Sequence, residues 1–260
     1  MKRVWALTAY IVVEFSRSLT ALLMMTVVAA FYLVAILGVT GGIDQDYFAL
    51  VVGGFFGIFG LVLAIVIADR AFHAKTYLLF YRLPSRSMFL AAVAMATIAV
   101  CGVLELAVSV LSLPRLTVPL PTTKMLDVIP VWLSWLILGV TLGLHLSELV
   151  RRGWSRAVAY GLLGFIVFSL NQQQSGAPVG FTDRFSWIPR LTANPVRWEW
   201  AVNSMRVIIW PVNASIQVVR STAYSTLQSL SPAMIVVISI LVFGLASSLF
   251  GRKDLVLPEG

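Results

Sequence analysis

Six runs of mostly apolar residues recur along the chain, and they constrain its fold more than any other feature. They are Leu19–Gly38, Ala49–Ala68, Met88–Leu113, Val128–Glu148, Ser155–Leu170 and Pro232–Phe250. A helix rises ~1.5 Å per residue, so about 20 residues cross a hydrocarbon core ~30 Å thick. Each run is expected to be helical, because lipid offers no partner to backbone N–H and C=O groups. A closed barrel would also satisfy the backbone, but its strands alternate in polarity and these runs do not. The fifth run is short and is expected to continue into Asn171. Only 12% of the 260 residues are charged, against roughly a quarter in a soluble domain. The expected fold is an all-α membrane protein. It has six transmembrane helices, an N-terminal interfacial helix, and short re-entrant or interfacial helices before the last span.

The formal charge of +8 is distributed by loop. Lys2, Arg3 and Arg17 precede the first span. Arg70, Lys75, Arg82 and Arg86 lie in the second loop, Arg151, Arg152 and Arg156 in the fourth, and Arg252 and Lys253 in the tail. The first loop, "VTGGIDQDYF", has no basic residue, and the third has Arg115 and Lys124. Basic residues in short loops stay cytoplasmic. Both termini and the even loops are therefore expected inside. The fifth loop carries Arg184, Arg190, Arg197, Arg206 and Arg220, but long loops follow this rule poorly. Charge clustered at span ends reads as orientation, not as a surface for nucleic acid.

Residues 1–18 read as an amphipathic helix lying in the headgroup region, followed by a transmembrane domain over 19–260. Val4, Leu7, Thr8, Ile11 and Phe15 share one face, and Arg3, Tyr10, Glu14 and Arg17 share the other. Glu14 and Arg17 interrupt this stretch, so it is not expected to be a cleavable signal. The third loop, with its three prolines in "PRLTVPLPTTKMLD", is expected to be extended. Residues 171–231 form a long outer loop. Its half-apolar part, "AVNSMRVIIWPVNASIQVV", is interrupted by Asn203, Arg206, Pro211, Asn213 and Gln217. It reads as short helices on or dipping into the outer leaflet, anchored by Trp187, Trp198, Trp200 and Trp210.

Little in the chain carries chemistry. No phosphate-cradling G-x-x-x-x-G-K-[ST] is present. The glycines of "GFFGIFG" read as packing residues that let helices approach. Cys101 is the single cysteine, so no internal disulfide forms. His145 and Glu148 share a helix face at i, i+3, but a metal or hydrolytic site needs further ligands. The plainer reading is a polar helix end facing cytoplasmic water. Glu105 is the acid well inside a span, roughly 25 Å from its cytoplasmic start at ~1.5 Å per residue. It either contacts substrate or hydrogen-bonds a neighbouring helix. One acid alone makes ion-coupled transport unattractive.

The segment from Ile67 to Leu90, "IADRAFHAKTYLLFYRLPSRSMFL", links spans two and three. "AKTYLLFYRL" can form a short helix with Thr76, Leu79, Phe80 and Leu83 on one side, ended at Pro84. Such a helix can fit a partner's groove. A plain hairpin whose basic residues fix topology fits the same residues. This segment resembles the signature of ABC-2 type permeases, the membrane subunits of one class of ABC exporter. The matching residues are Asp69-Arg70 leaving span two, then Thr76, the pair Leu78-Leu79, and Pro84-Ser85-Arg86 opening span three. Lys75 stands where the family often has Gly, and the family's lysine within span three is missing here. The ending "SLFGRKDL" also resembles the family's, an aromatic followed by basic residues and an acid.

The resemblance implies a mechanism. Two permease subunits, identical or paralogous, enclose a pathway through the plasma membrane, in bacteria the inner membrane. Two separate ATPase subunits, holding ATP and Mg, bind below. This chain itself needs no cofactor and is not an enzyme. The loop over 69–87 passes ATPase closure to the spans, with Arg82 and Arg86 as contacts and Leu79 and Phe80 as apolar anchors. The alternatives are a non-transporting scaffold or sensor that uses the same segment, and an intramembrane enzyme.

Overall fold

The computed structural model describes residues 2–71, 85–150, 210–220 and 224–251. All named elements among them are helical: α1 (Lys2–Ser16), α2 (Leu19–Phe31), α3 (Gln45–Ala71), α4 (Arg86–Ser112), α5 (Thr122–Leu146), α6 (210–220), α7 (Thr226–Ser229) and α8 (Ser231–Gly251). A π-helical turn, Tyr32–Leu37, extends α2, and 3-10 turns follow α4 and α5. Five stretches are long and apolar enough to cross a membrane: Leu19–Leu37, Gln45–Ala71, Arg86–Arg115, Thr122–Leu146 and Thr226–Gly251. They correspond to the first, second, third, fourth and sixth expected spans. The fifth, Ser155–Leu170, lies outside the described residues, as do Trp187, Trp198 and Trp200 of the outer loop.

α1 buries the face that its periodicity marks. Leu7, Thr8, Ile11 and Phe15 are buried, while Arg3, Tyr10, Glu14 and Arg17 are exposed. Its partner is the first half of α4, where the Thr8 hydroxyl reaches Ala92 O at 3.4 Å. On the exposed face, the neighbouring Glu14 carboxylate pushes the Tyr10 phenol above its ordinary pKa. Ser18 adopts extended backbone and separates α1 from α2, its side chain accepting from Ala21 N–H at 3.1 Å.

Between spans there is no hydrophobic drive in lipid, so contact rests on close packing. α3 and α5 pack most closely. Gly53 lies under Trp132, Gly57 beside Trp135, and Gly60 beside Leu136. From the other side Gly139 sits on the Gly57 carbonyl, and Gly143 lies against Leu61 and Ala64. The packing role expected for "GFFGIFG" therefore holds at Gly57 and Gly60, and Gly53 just before the run shares it, whereas Gly54 faces open space. Phe31 of α2 stacks on Phe55 of α3 with ring centroids 3.7 Å apart. Phe89 of α4 meets Phe250 of α8 at 6.4 Å.

Two ends of the bundle follow from these contacts. At one end the first and third loops pair, with Ile43 N–H on Arg115 O and Thr117 N–H on Ile43 O, both at 3.0 Å. Gly42 there has φ +93, and a Cβ would meet Thr117 Cγ2 at 2.8 Å, so glycine is needed for both reasons. The same end holds Lys124–Asp46 at 3.1 Å and Tyr224 donating to Asp127 at 2.6 Å. That bond to Asp127 pushes the Tyr224 phenol above its ordinary pKa. At the opposite end Arg70 bonds Thr20, and Arg86 bonds Gly251. α5 and α8 run in the same direction between these ends. The chain joining them must return from one end to the other.

Two expectations are corrected. The fourth span begins at Thr122, not Val128, so Lys124 and Asp127 are helical rather than part of an extended loop. The ammonium of Lys124, 7% exposed, is compensated by Asp46 across α3 and α5, which lets the helix continue past its apolar run. The end of α5 does not face water either. His145 is 1% exposed, and its Nε2–H donates to Val242 O of α8 at 2.7 Å.

Candidate functional site

Of the residues picked out by sequence, Asp69, Arg70, Ser85 and Arg86 are described at the end of the bundle that also carries Arg17. Asp69 and Arg70 close α3. Arg70 turns back toward α2, donating through Nη1 to Thr20 Oγ1 at 2.7 Å. Thr76, Leu78, Leu79, Phe80, Arg82 and Pro84 lie outside the described residues. Ser85 and Arg86 are described. Ser85 is the N-cap of α4, extended at φ −151 and ψ 147, with its side chain accepting from Met88 N–H. A serine suits this position, since its hydroxyl satisfies a free N–H of the first turn. Arg86 then begins the first turn and donates through Nη1 to Gly251 O at 3.2 Å.

That bond brings together the start of α4 and the end of α8, 165 residues apart in sequence. Ser85, Arg86, Ser87, Gly244, Ser247, Ser248 and Gly251 line a recess of about 500 Å³ between them. The motifs included Ser85, Arg86, Ser248 and Gly251, but not the bond between Arg86 and Gly251. The signal for it was the pair Ser247-Ser248 one turn before the basic tail.

Glu105 stands apart from this end. It is buried at 7% exposure on the face of α4 that also buries Thr97, Cys101, Val108 and Ser112. Val103, Leu106 and Val110 face outward instead. Glu105 Oε1 is buried and makes no hydrogen bond. A helix-packing bond through this oxygen is thus not formed. An unpaired buried oxygen costs ~1–3 kcal/mol, and an apolar replacement of similar shape removes that cost. Glu105→Leu is therefore expected to raise the stability of the detergent-solubilised chain by about 1 kcal/mol, read as a higher unfolding midpoint. A lower midpoint would show that the carboxyl makes a bond that matters.

No group of three or more His, Cys, Asp and Glu side chains converges among the described residues. The Glu148 side chain lies outside what is described. Compared with protein-family models, curated proteins and solved structures, the chain matches none.

Proposed function

We propose that this chain is the membrane-spanning subunit of an ATP-driven exporter of the ABC-2 permease kind. The observation that carries the reading is local. Asp69-Arg70 ends α3, and Ser85-Arg86 caps and opens α4 at the same end of the bundle. The segment between them, Thr76 to Pro84, is thereby anchored at both its ends on spanning helices. A push on that segment moves α3 and α4 directly. α3 is locked to α5 through glycine contacts, and α4 to α8 through Arg86 and the Phe89–Phe250 pair, so those helices move with it.

The rest of the proposal follows from the resemblance. Two copies of a separate ATPase bind ATP and Mg and press on the segment. A second permease subunit, identical or paralogous, completes the pathway. The basic end faces the cytoplasm, and both termini lie there. α1 lies along the adjoining headgroups with Trp5 and Tyr10 outward. A sixth span over Ser155–Leu170 supplies the return from α5 to α8. Glu105 has no structural partner through Oε1, and an intramembrane acid of that kind calls for a functional role. It contacts cargo in the outer half of the pathway, and the apolar surroundings suit an amphipathic or lipid-like cargo.

The test is ATP hydrolysis by the complex in lipid nanodiscs. The permease reading expects turnover to rise when an amphipathic cargo is added, and Glu105→Leu to reduce that rise. Turnover unaffected by any cargo, with the complex intact, would favour a scaffold or sensor.

A further inference from the structure

Among the described side chains Glu105 is the only buried acid. Its Oε1 makes no hydrogen bond. Cys101, one turn before it, is a weak donor and does not bond that oxygen. The described cations at the nearer end of the bundle are engaged elsewhere. Lys124 is held by Asp46, and Arg115 by the carbonyls of Leu37 and Val39. An ionised carboxyl at membrane depth has to be paired, and no described residue supplies the pair.

The hydroxyls along the same side of α4 have already spent their protons. Thr97 donates to Val93 O at 2.9 Å, Ser109 to the Glu105 carbonyl at 2.7 Å, and Ser112 to Val108 O at 2.7 Å. What each still offers is its lone pairs. Carboxylate and lone pairs together suit a ligand that is both a donor and a cation. There is also room for one. Gly102, Glu105 and Ser109 share a helix face at i, i+3 and i+7, and Gly102 and Ser109 are half-buried. A Cβ built on Gly102 meets nothing within 4 Å, so a notch opens beside the carboxyl among the described residues. Leu106 and Val110 continue the notch as an exposed apolar surface. A hydrated inorganic ion reaches such a rim only at the cost of its water, whereas an amine on an apolar body is carried there by that body. We propose that this notch binds the protonated amine of a cationic amphiphile. The ammonium donates to the Glu105 carboxylate and the Ser109 hydroxyl, and the apolar body lies along Leu106 and Val110. Calling this amphiphile a cargo rests on the permease reading, but its binding does not.

The test uses the purified full chain in phosphatidylcholine nanodiscs, without any ATPase. The probe is a long-chain primary alkylamine carrying a dansyl fluorophore, and its N-acetylated form is the neutral control. Binding is read by fluorescence anisotropy, with empty nanodiscs subtracted. The amine is expected to bind roughly tenfold or more tighter than the acetylated form, the effect of one bond to a charged group. Glu105→Gln keeps the shape and removes the charge, and it is expected to abolish that preference. Gly102→Leu fills the notch where space is open, and it is expected to weaken amine binding roughly tenfold with no loss of unfolding midpoint. Equal binding of the two probes, or a preference that survives Glu105→Gln, would overturn the site. Displacement of the amine when sodium replaces choline at constant ionic strength would assign the carboxyl to an inorganic cation and overturn the amphiphile. Amine binding that never stimulates ATP hydrolysis by the complex would uphold the site and count against the permease reading. Stimulation by neutral amphiphiles with no preference for the amine would do the reverse.

Discussion

Gly139→Ala is expected to destabilise the bundle by about 2 kcal/mol or more, with much of the protein lost as aggregate on extraction. The added Cβ would overlap the Gly57 carbonyl and come 3.0 Å from Gly57 C, both backbone atoms of a packed helix. Backbone cannot rotate away as a side chain tip can, so α3 and α5 must separate. Overpacking of this kind costs typically ~1–3 kcal/mol, and separation also forfeits the neighbouring contacts. Helix propensity works the other way, since alanine gains ~1 kcal/mol over glycine in a helix interior. The steric term wins because Gly143, one turn further on, is equally tight against Leu61. Gly54→Ala and Gly102→Ala are the controls. A Cβ at either meets nothing within 4 Å, so only the propensity gain remains. Thermal unfolding monitored by size-exclusion recovery separates the cases. Equal recovery of all three variants would contradict the close α3–α5 contact.

If the chain is the proposed permease subunit, Arg86→Glu is expected to leave it in the membrane and the ATPase partner hydrolysing, while export falls about tenfold or more. Placing a like charge at an interface built for the opposite one costs several kcal/mol. The guanidinium also donates to Gly251 O, and a glutamate there would set a carboxylate against a carbonyl. The first effect weakens the contact with the ATPase, and the second loosens the joint between α4 and α8 through which a push from the loop would spread. Arg86→Lys keeps charge but not the fork, so it should be intermediate. Hydrolysis and export are measured in parallel on reconstituted vesicles. Export that persists at the wild-type level in Arg86→Glu would remove this residue from the coupling path.

Much of the fold was legible because membrane spans are written as composition. Leu19–Gly38 matches α2 with its π-helical extension, Leu19–Leu37, and Pro232–Phe250 matches α8, each to within a residue, since both runs start and stop abruptly. α1 was legible as a periodic face, and its buried positions follow that face. The start of α5 was not. Lys124 and Asp127 look like loop residues until Asp46 and Tyr224, remote in sequence, are seen beside them. His145 failed for the same reason, because the carbonyl it meets belongs to Val242. Gly139-Val-Thr-Leu-Gly143 was overlooked although its small-x-x-x-small spacing was in view. Of the candidate site, Ser85 and Arg86 were legible as the opening of a helix. Their closeness to Ser247, Ser248 and Gly251 is a tertiary fact that no local pattern encodes.

The central claim is that an external ATPase acts on this chain through Thr76–Arg86. Its most direct measurement is mild extraction of the tagged chain from its native membrane, with crosslinking, mass spectrometry and an ATPase assay. The same is done for a version in which residues 76–83 are replaced by a Gly/Ser linker, leaving Ser85 and Arg86 to cap α4. The account predicts a stoichiometric P-loop ATPase with the native chain and its loss with the linker version, both chains being equally well inserted. An ATPase absent from both preparations, or retained equally by both, would contradict it.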